Sequence, residues 1–158
     1  MFIFRLLIAS ISKDMSYIRI WLHCVWSTNR RIPYLKDGLR EDVIFHILNN
    51  SRTKNIFIDH INGYKEHLHA LVSLGASQNI SDIMKNIKGE SSFWINRNKL
   101  TDLKFEWQDD YYAVSVGNSQ VDTLREYIRS QSDHHKLVSW EDELKKLESE
   151  YNFIRIKD

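Results

Sequence analysis

Ile56-Phe57-Ile58-Asp59-His60-Ile61, then Asn62-Gly63, then His67-Leu68-His69-Ala70-Leu71-Val72-Ser73-Leu74 is the stretch on which the reading of the fold turns. Both runs are rich in apolar and β-branched residues, and an Asn-Gly pair between such runs signals a tight turn, so they read as a β-hairpin. On the N-terminal side, Tyr17 to Ser27 has the β-branched and aromatic content of another strand, and Asn29 to Pro33 forms a basic turn. Leu39, Val43, Ile44, Ile47 and Leu48 recur at helical spacing, predicting a helix over 39–54. On the C-terminal side, Asn79 or Ser81 caps a helix through Ile83, Met84 and Ile87, expected to break near Gly89 and resume through Phe93 and Ile95. Residues 100–110 read as loop, Tyr111 to Val116 as a fourth strand, and Ser119 to about Gln131 as a helix, with a last amphipathic helix over 139–151. Strand, helix, strand, strand, helix, strand is the order of an α+β, ferredoxin-like fold. It predicts a four-stranded antiparallel sheet with helices on one face, followed here by C-terminal helices.

Composition narrows the function classes. A chain of 158 residues can bury the core of one domain, and its single Pro and five Gly argue for dense regular structure. Cys24 is the only cysteine, which excludes an internal disulfide framework and fits a reducing, cytoplasmic setting. A net charge of +1 means that any nucleic-acid contact must come from a local basic face, with acidic residues such as the run Glu141 to Glu150 placed elsewhere. Phe2 to Ile11 is apolar but too short to span a bilayer, and it lacks a basic leader, so neither a membrane anchor nor a signal peptide is expected. Residues 1–14 read as an extension outside the fold, and 15–158 as the domain.

Chemistry concentrates at two places. On a strand, residues i and i+2 share a face, so His67 and His69 can ligate one divalent ion from the same side while Leu68 faces the other way. Two solvent-facing strand histidines would show the same pattern. Tyr127 and Gln131 stand four apart, on one face of the predicted helix. A helical Tyr beside Leu124 and Ile128 could equally be half-buried core, and the two readings stay open on spacing alone. A phenol with a pKa of about 10 needs help to act as a nucleophile at neutral pH, and a divalent cation polarising a phosphate gives that help.

Three ordered blocks then carry a resemblance: Glu66 to Leu74, with its His-Leu-His; Trp107-Gln108-Asp109-Asp110-Tyr111-Tyr112-Ala113-Val114-Ser115-Val116; and Tyr127-Ile128-Arg129-Ser130-Gln131 ahead of His134-His135. From about Met15 to His135 the chain resembles the IS200/IS605-family transposases, single-tyrosine members of the His-hydrophobe-His nuclease superfamily. The resemblance implies a catalytic core over 15–135, a homodimer, dependence on Mg²⁺ or Mn²⁺, and cleavage of single-stranded DNA at ends marked by hairpins. By the family pattern His67, His69 and Gln131 are metal ligands and Tyr127 is the nucleophile, leaving a 5′-phosphotyrosine and a free 3′-hydroxyl. In the family, the tyrosine helix of one subunit can complete the metal site of the other.

The sequence departs from the pattern at two positions. Glu66 stands where Asp is common before the His pair, which touches any supporting role it has toward the ligands. Tyr112 stands where a small residue is common, so local repacking is expected. Arg30 and Arg31, and Lys85 with Lys88, are candidate phosphate contacts, although each could be an ordinary solvated charge. The stretch Lys88-Gly89-Glu90-Ser91-Ser92 is similar to one common in the family. Trp21, Trp26 and Trp94 read as core, and Trp107, in the loop-like stretch, as the base-stacking candidate. Two other functions share these features: a domesticated relative that processes chromosomal hairpin repeats, and a nucleic-acid-binding ferredoxin-like module that does not cut.

Overall fold

The computed structural model describes residues 17–36, 38–134 and 138–151. The expected extension over 1–14 and the residue His135 lie outside them. Strands β1 (Trp21–Ser27), β2 (Phe57–Gly63), β3 (His67–Ser73) and β4 (Tyr112–Val116) form one sheet in the order β2-β3-β1-β4, antiparallel at every pairing. Helices α1 (Leu39–Thr53) and α2 (Ile80–Arg97) supply the two crossovers, and α3 (Val121–Arg129), a short α4 (Gln131–His134) and α5 (Trp140–Tyr151) follow β4. This is the expected ferredoxin-like α+β order.

Alternation along the strands divides the molecule in two layers. Cys24 and Trp26 of β1 and Leu68, Ala70 and Val72 of β3 face α1 and α2, where Val43, Ile47, Ile83, Met84, Ile87 and Ile95 complete the main core. The residues between them face the other way, where Trp21 and Leu71 pack against Val121 and Ile128 of α3, and Val25 packs against Leu147 of α5. The C-terminal helices therefore cover the face that α1 and α2 leave open.

Up to β4, local detail departs from the sequence expectation in four places. β1 begins at Trp21, and Tyr17, Ile18 and Ile20 are exposed. Asn62 and Gly63 still pair with β3, opposite His69 and Leu68, and the chain reverses over 64–66 with Tyr64 N–H donating to the His67 carbonyl at 3.0 Å. Gly63 is needed for close approach: a Cβ there would lie 2.1 Å from the His67 carbonyl oxygen. α2 runs unbroken through Gly89, where a Cβ would meet open space, so this glycine weakens helix propensity without a kink. Its N-terminus is capped by Asn79, whose side chain accepts from Asp82 N–H at 2.8 Å.

Trp107 is the fourth. It is 7% exposed, sits edge-on to Trp26 and Phe105, and donates its indole N–H to Ser91 Oγ at 2.9 Å. The segment carrying it lies against the end of β1, with Gln108 N–H donating to the Ser27 carbonyl, so the indole fills core rather than offering a platform for a base. Trp107→Ala is expected to lower the unfolding free energy by about 3–5 kcal/mol in urea denaturation. A loss under about 1 kcal/mol would contradict this placement.

Candidate active site

His67 and His69 project from β3 onto the face opposite the main core, and both are fully buried. Their rings lie 5.1 Å apart and near perpendicular. Each Nδ1 has a partner: Glu66 Oε1 is 3.1 Å from that of His67, and His23 Nε2 is 3.0 Å from that of His69. His23 comes from β1, where it pairs with Leu71, one same-face step from the Val25–His69 pair. Burial pushes the His23 imidazole down to about 4, so it is neutral at physiological pH and can accept the His69 Nδ1 proton. Partners of this kind fix ring orientation and tautomer, and direct Nε2 of both histidines to the other side.

On that side stands Glu143 of α5, its Oε2 3.8 Å from His67 Nε2 and its Oε1 3.6 Å from His69 Nε2. The donor atoms of His67, His69 and Glu143 all lie within 4.8 Å of one another, and all three residues are buried. Burial, reinforced by the charge of Glu66, raises the Glu143 carboxyl to about 7. Two imidazoles and a carboxylate are a donor set that suits a divalent ion of mixed nitrogen and oxygen preference. Sequence reasoning has no hold on Glu143, because within the acidic run Glu141 to Glu150 one carboxylate resembles the next.

Tyr127 on α3 brings its ring edge-on to both His69 and His23, with centroids 5.6 and 6.2 Å away. Gln131 is fully buried, but α3 ends at Arg129, so Gln131 opens the next short helix instead of extending the same one. Its side-chain amide reaches back to the Tyr127 carbonyl at 3.5 Å. The tyrosine helix is fastened to the sheet of its own chain. Asp59 has no partner of its own in the β2–β3 register, which shifts between Ile58 and His60. Its carboxylate accepts from Arg125 Nε at 2.8 Å and from Arg125 Nη2 at 2.9 Å, a two-pronged bond that the sequence did not announce.

The basic candidates divide. Arg30 and Lys85 are exposed. Arg31 is paired with Glu141 at 2.7 Å, and together with Arg30, Gln108, Tyr112 and Leu144 it lines a cleft of about 320 Å³ beside Val25. Lys88 donates to the Asp109 carbonyl at 2.5 Å, and burial lowers its pKa. Tyr112 packs with Val25, Leu144 and Leu147, and its hydroxyl donates to Glu148 at 3.2 Å, so the residue that departs from the family pattern helps to seat α5.

Residues 16–131 match the family described as "Transposase IS200 like". The chain belongs to that family. Membership gives it a transposase-type function. Two solved structures are similar in fold. One is a candidate transposase from Deinococcus radiodurans R1, at 17% identity and TM-score 0.61, covering 77% of this chain and 98% of that one. The other is a REP-associated tyrosine transposase bound to a REP hairpin, at 21% identity and TM-score 0.58, covering 80% of this chain and 75% of that one. No functionally curated protein matches the chain. The family match ends at Gln131, so Glu143 and the helix carrying it lie beyond it. Among the described residues, no helix is long and apolar enough to cross a membrane.

The Asp59–Arg125 bond makes a pH-dependent contribution. Hydrogen bonds from Arg125 hold the Asp59 carboxyl below its ordinary range, so the stability it contributes is complete above the unfolded-state value and is lost as pH falls through the lowered one. Asp59→Asn is expected to lower Tm at pH 7, and the gap from the unsubstituted protein should narrow below about pH 4. A gap that stays constant through acid would contradict the assignment.

Proposed function

We propose that this protein cuts and rejoins single-stranded DNA at hairpin-marked ends through a phosphotyrosine link on Tyr127, with His67, His69 and Gln131 holding Mg²⁺ or Mn²⁺. The observation that carries this reading is the Tyr127 ring lying edge-on to His69, 5.6 Å away, within one chain. A module that only binds nucleic acid has no use for a tyrosine beside two oriented imidazoles. The relative solved with a hairpin lends support to a hairpin as the substrate feature.

When bound, a divalent cation supplies positive charge that polarises the scissile phosphate and assists a phenol whose ordinary pKa of about 10 leaves it a weak nucleophile at neutral pH. His67 and His69 hold their Nε2 atoms ready through the contacts of Glu66 and His23 to Nδ1. The Tyr127 oxygen attacks phosphorus, the bond from phosphorus to the 3′ oxygen breaks, and the proton lost by the phenol is balanced by one gained by the departing 3′ oxygen. Rejoining runs the exchange backwards: a new 3′-hydroxyl attacks, its proton is lost, and the phenol leaves protonated. One phosphorus–oxygen bond replaces another at each step, so no nucleotide is consumed.

Arg30 and Lys85, being exposed, are the readiest phosphate contacts, whereas Arg31 and Lys88 would have to exchange existing partners. In the homodimer implied by the resemblance, each tyrosine serves the histidines of its own chain, because α3 is anchored there by Arg125 and by Val121 and Ile128. Incubation with labelled single-stranded DNA carrying a hairpin, in Mn²⁺ or Mg²⁺, should give a covalent protein–DNA adduct that falls to background in Tyr127→Phe. An unchanged yield in that variant would move the nucleophile elsewhere, and an equal yield in EDTA would remove the metal role.

A further inference from the structure

Helix α5 is held on the histidine face by contacts that do not involve the histidines. Leu147 packs on Val25 with Leu144 and Tyr112 beside it, and Arg31 pairs with Glu141, while Ser139 Oγ, accepting from Asp142 N–H, caps the first turn of the helix itself. Glu143 and Leu147 stand four apart, so the face that buries Leu147 also turns Glu143 inward. The carboxylate is 3% exposed, and its two oxygens each face a different imidazole, at 3.8 and 3.6 Å. Those separations exceed the ordinary hydrogen-bond range. They match the spacing of two ligands on one divalent ion, since metal–donor bonds of about 2.0–2.2 Å place neighbouring donors roughly 3–4 Å apart.

We propose that Glu143 is a ligand to the cation held by His67 and His69, so that binding the cation fastens α5 onto the sheet. The inference rests on the metal reading of those two histidines and goes beyond it. It adds a carboxylate from a helix outside the family-matched region, and it couples occupancy of the site to the docking of that helix. A mixed histidine and carboxylate set also favours Mn²⁺ over Mg²⁺, which prefers an all-oxygen shell. A phosphate oxygen of DNA and the Glu143 carboxylate become rival ligands for one ion.

The test is calorimetric titration of Mn²⁺ into the full chain, alongside amide hydrogen exchange of α5 with and without Mn²⁺. Glu143→Gln keeps the shape and volume of the side chain, and a His67→Ala/His69→Ala double variant reports on the histidine pair itself. The expected result is Mn²⁺ binding by the unsubstituted chain with slowed exchange in α5. Affinity should be at least about tenfold weaker in Glu143→Gln, with the slowing lost, and binding should be absent in the double variant. Full affinity in Glu143→Gln, with none in the double variant, would overturn the Glu143 role and leave the histidine site standing. Weakened binding with no metal effect on α5 exchange in the unsubstituted chain would overturn the fastening. No Mn²⁺ binding by the unsubstituted chain would remove the histidine reading and this inference together.

Discussion

A β-strand cannot present a side chain to one face without presenting its neighbours to the other, and β3 uses both faces fully. Leu68, Ala70 and Val72 lie in the main core, while His67, His69 and Leu71 lie on the far side, and all six are buried. A slip of one residue would bury two imidazoles among aliphatic side chains and expel the core residues, so the register of this strand is strongly specified. Both of its neighbours accept that register. β1 pairs with it residue for residue, and β2 takes up its irregularity at Asp59, off the central strand. The helices then sort by face: α1 and α2 need the aliphatic side, and α3 and α5 are left with the side that carries the histidines.

That constraint is what made so much legible in the sequence. Runs of β-branched and aromatic residues, with helical spacing from Leu39 and Ile83, were enough for element order and the ferredoxin-like class, and strand alternation placed the two imidazoles together. The errors were local and have physical causes. Asn62-Gly63 carries the chemistry of a turn, yet the glycine is used for close approach to the His67 carbonyl. Trp107 sits in a stretch without periodicity, and only the tertiary structure shows that its indole closes the core over Ser91. Spacing set Tyr127 and Gln131 on one helical face, whereas the chain breaks at Ser130 between them.

What the sequence could not show are contacts between distant residues of ordinary type. His23 has no motif around it, and its role comes from lying one same-face pair along from Val25 and His69. Asp59 and Arg125 are 66 residues apart, and nothing in either neighbourhood announces the other. Glu143 is hidden among like charges. Tyr112 carried the one available hint, since a large residue in place of a small one needs something to pack against, and α5 is what it packs against.

These contacts share a consequence. The helix bearing Tyr127 is tied to β2 by Arg125 and to the sheet by Val121 and Ile128, and its ring already stands beside the histidines of its own chain. With Tyr127 as the nucleophile proposed above, one chain builds one whole cleavage centre. The most direct measurement mixes two proteins each expected to be inactive alone, Tyr127→Phe and the His67→Ala/His69→Ala double variant, and assays covalent adduct formation on single-stranded hairpin DNA. No adduct is expected at any mixing ratio. Adduct formation by the mixture would mean that the tyrosine of one chain serves the histidines of another, and would contradict the one-chain centre.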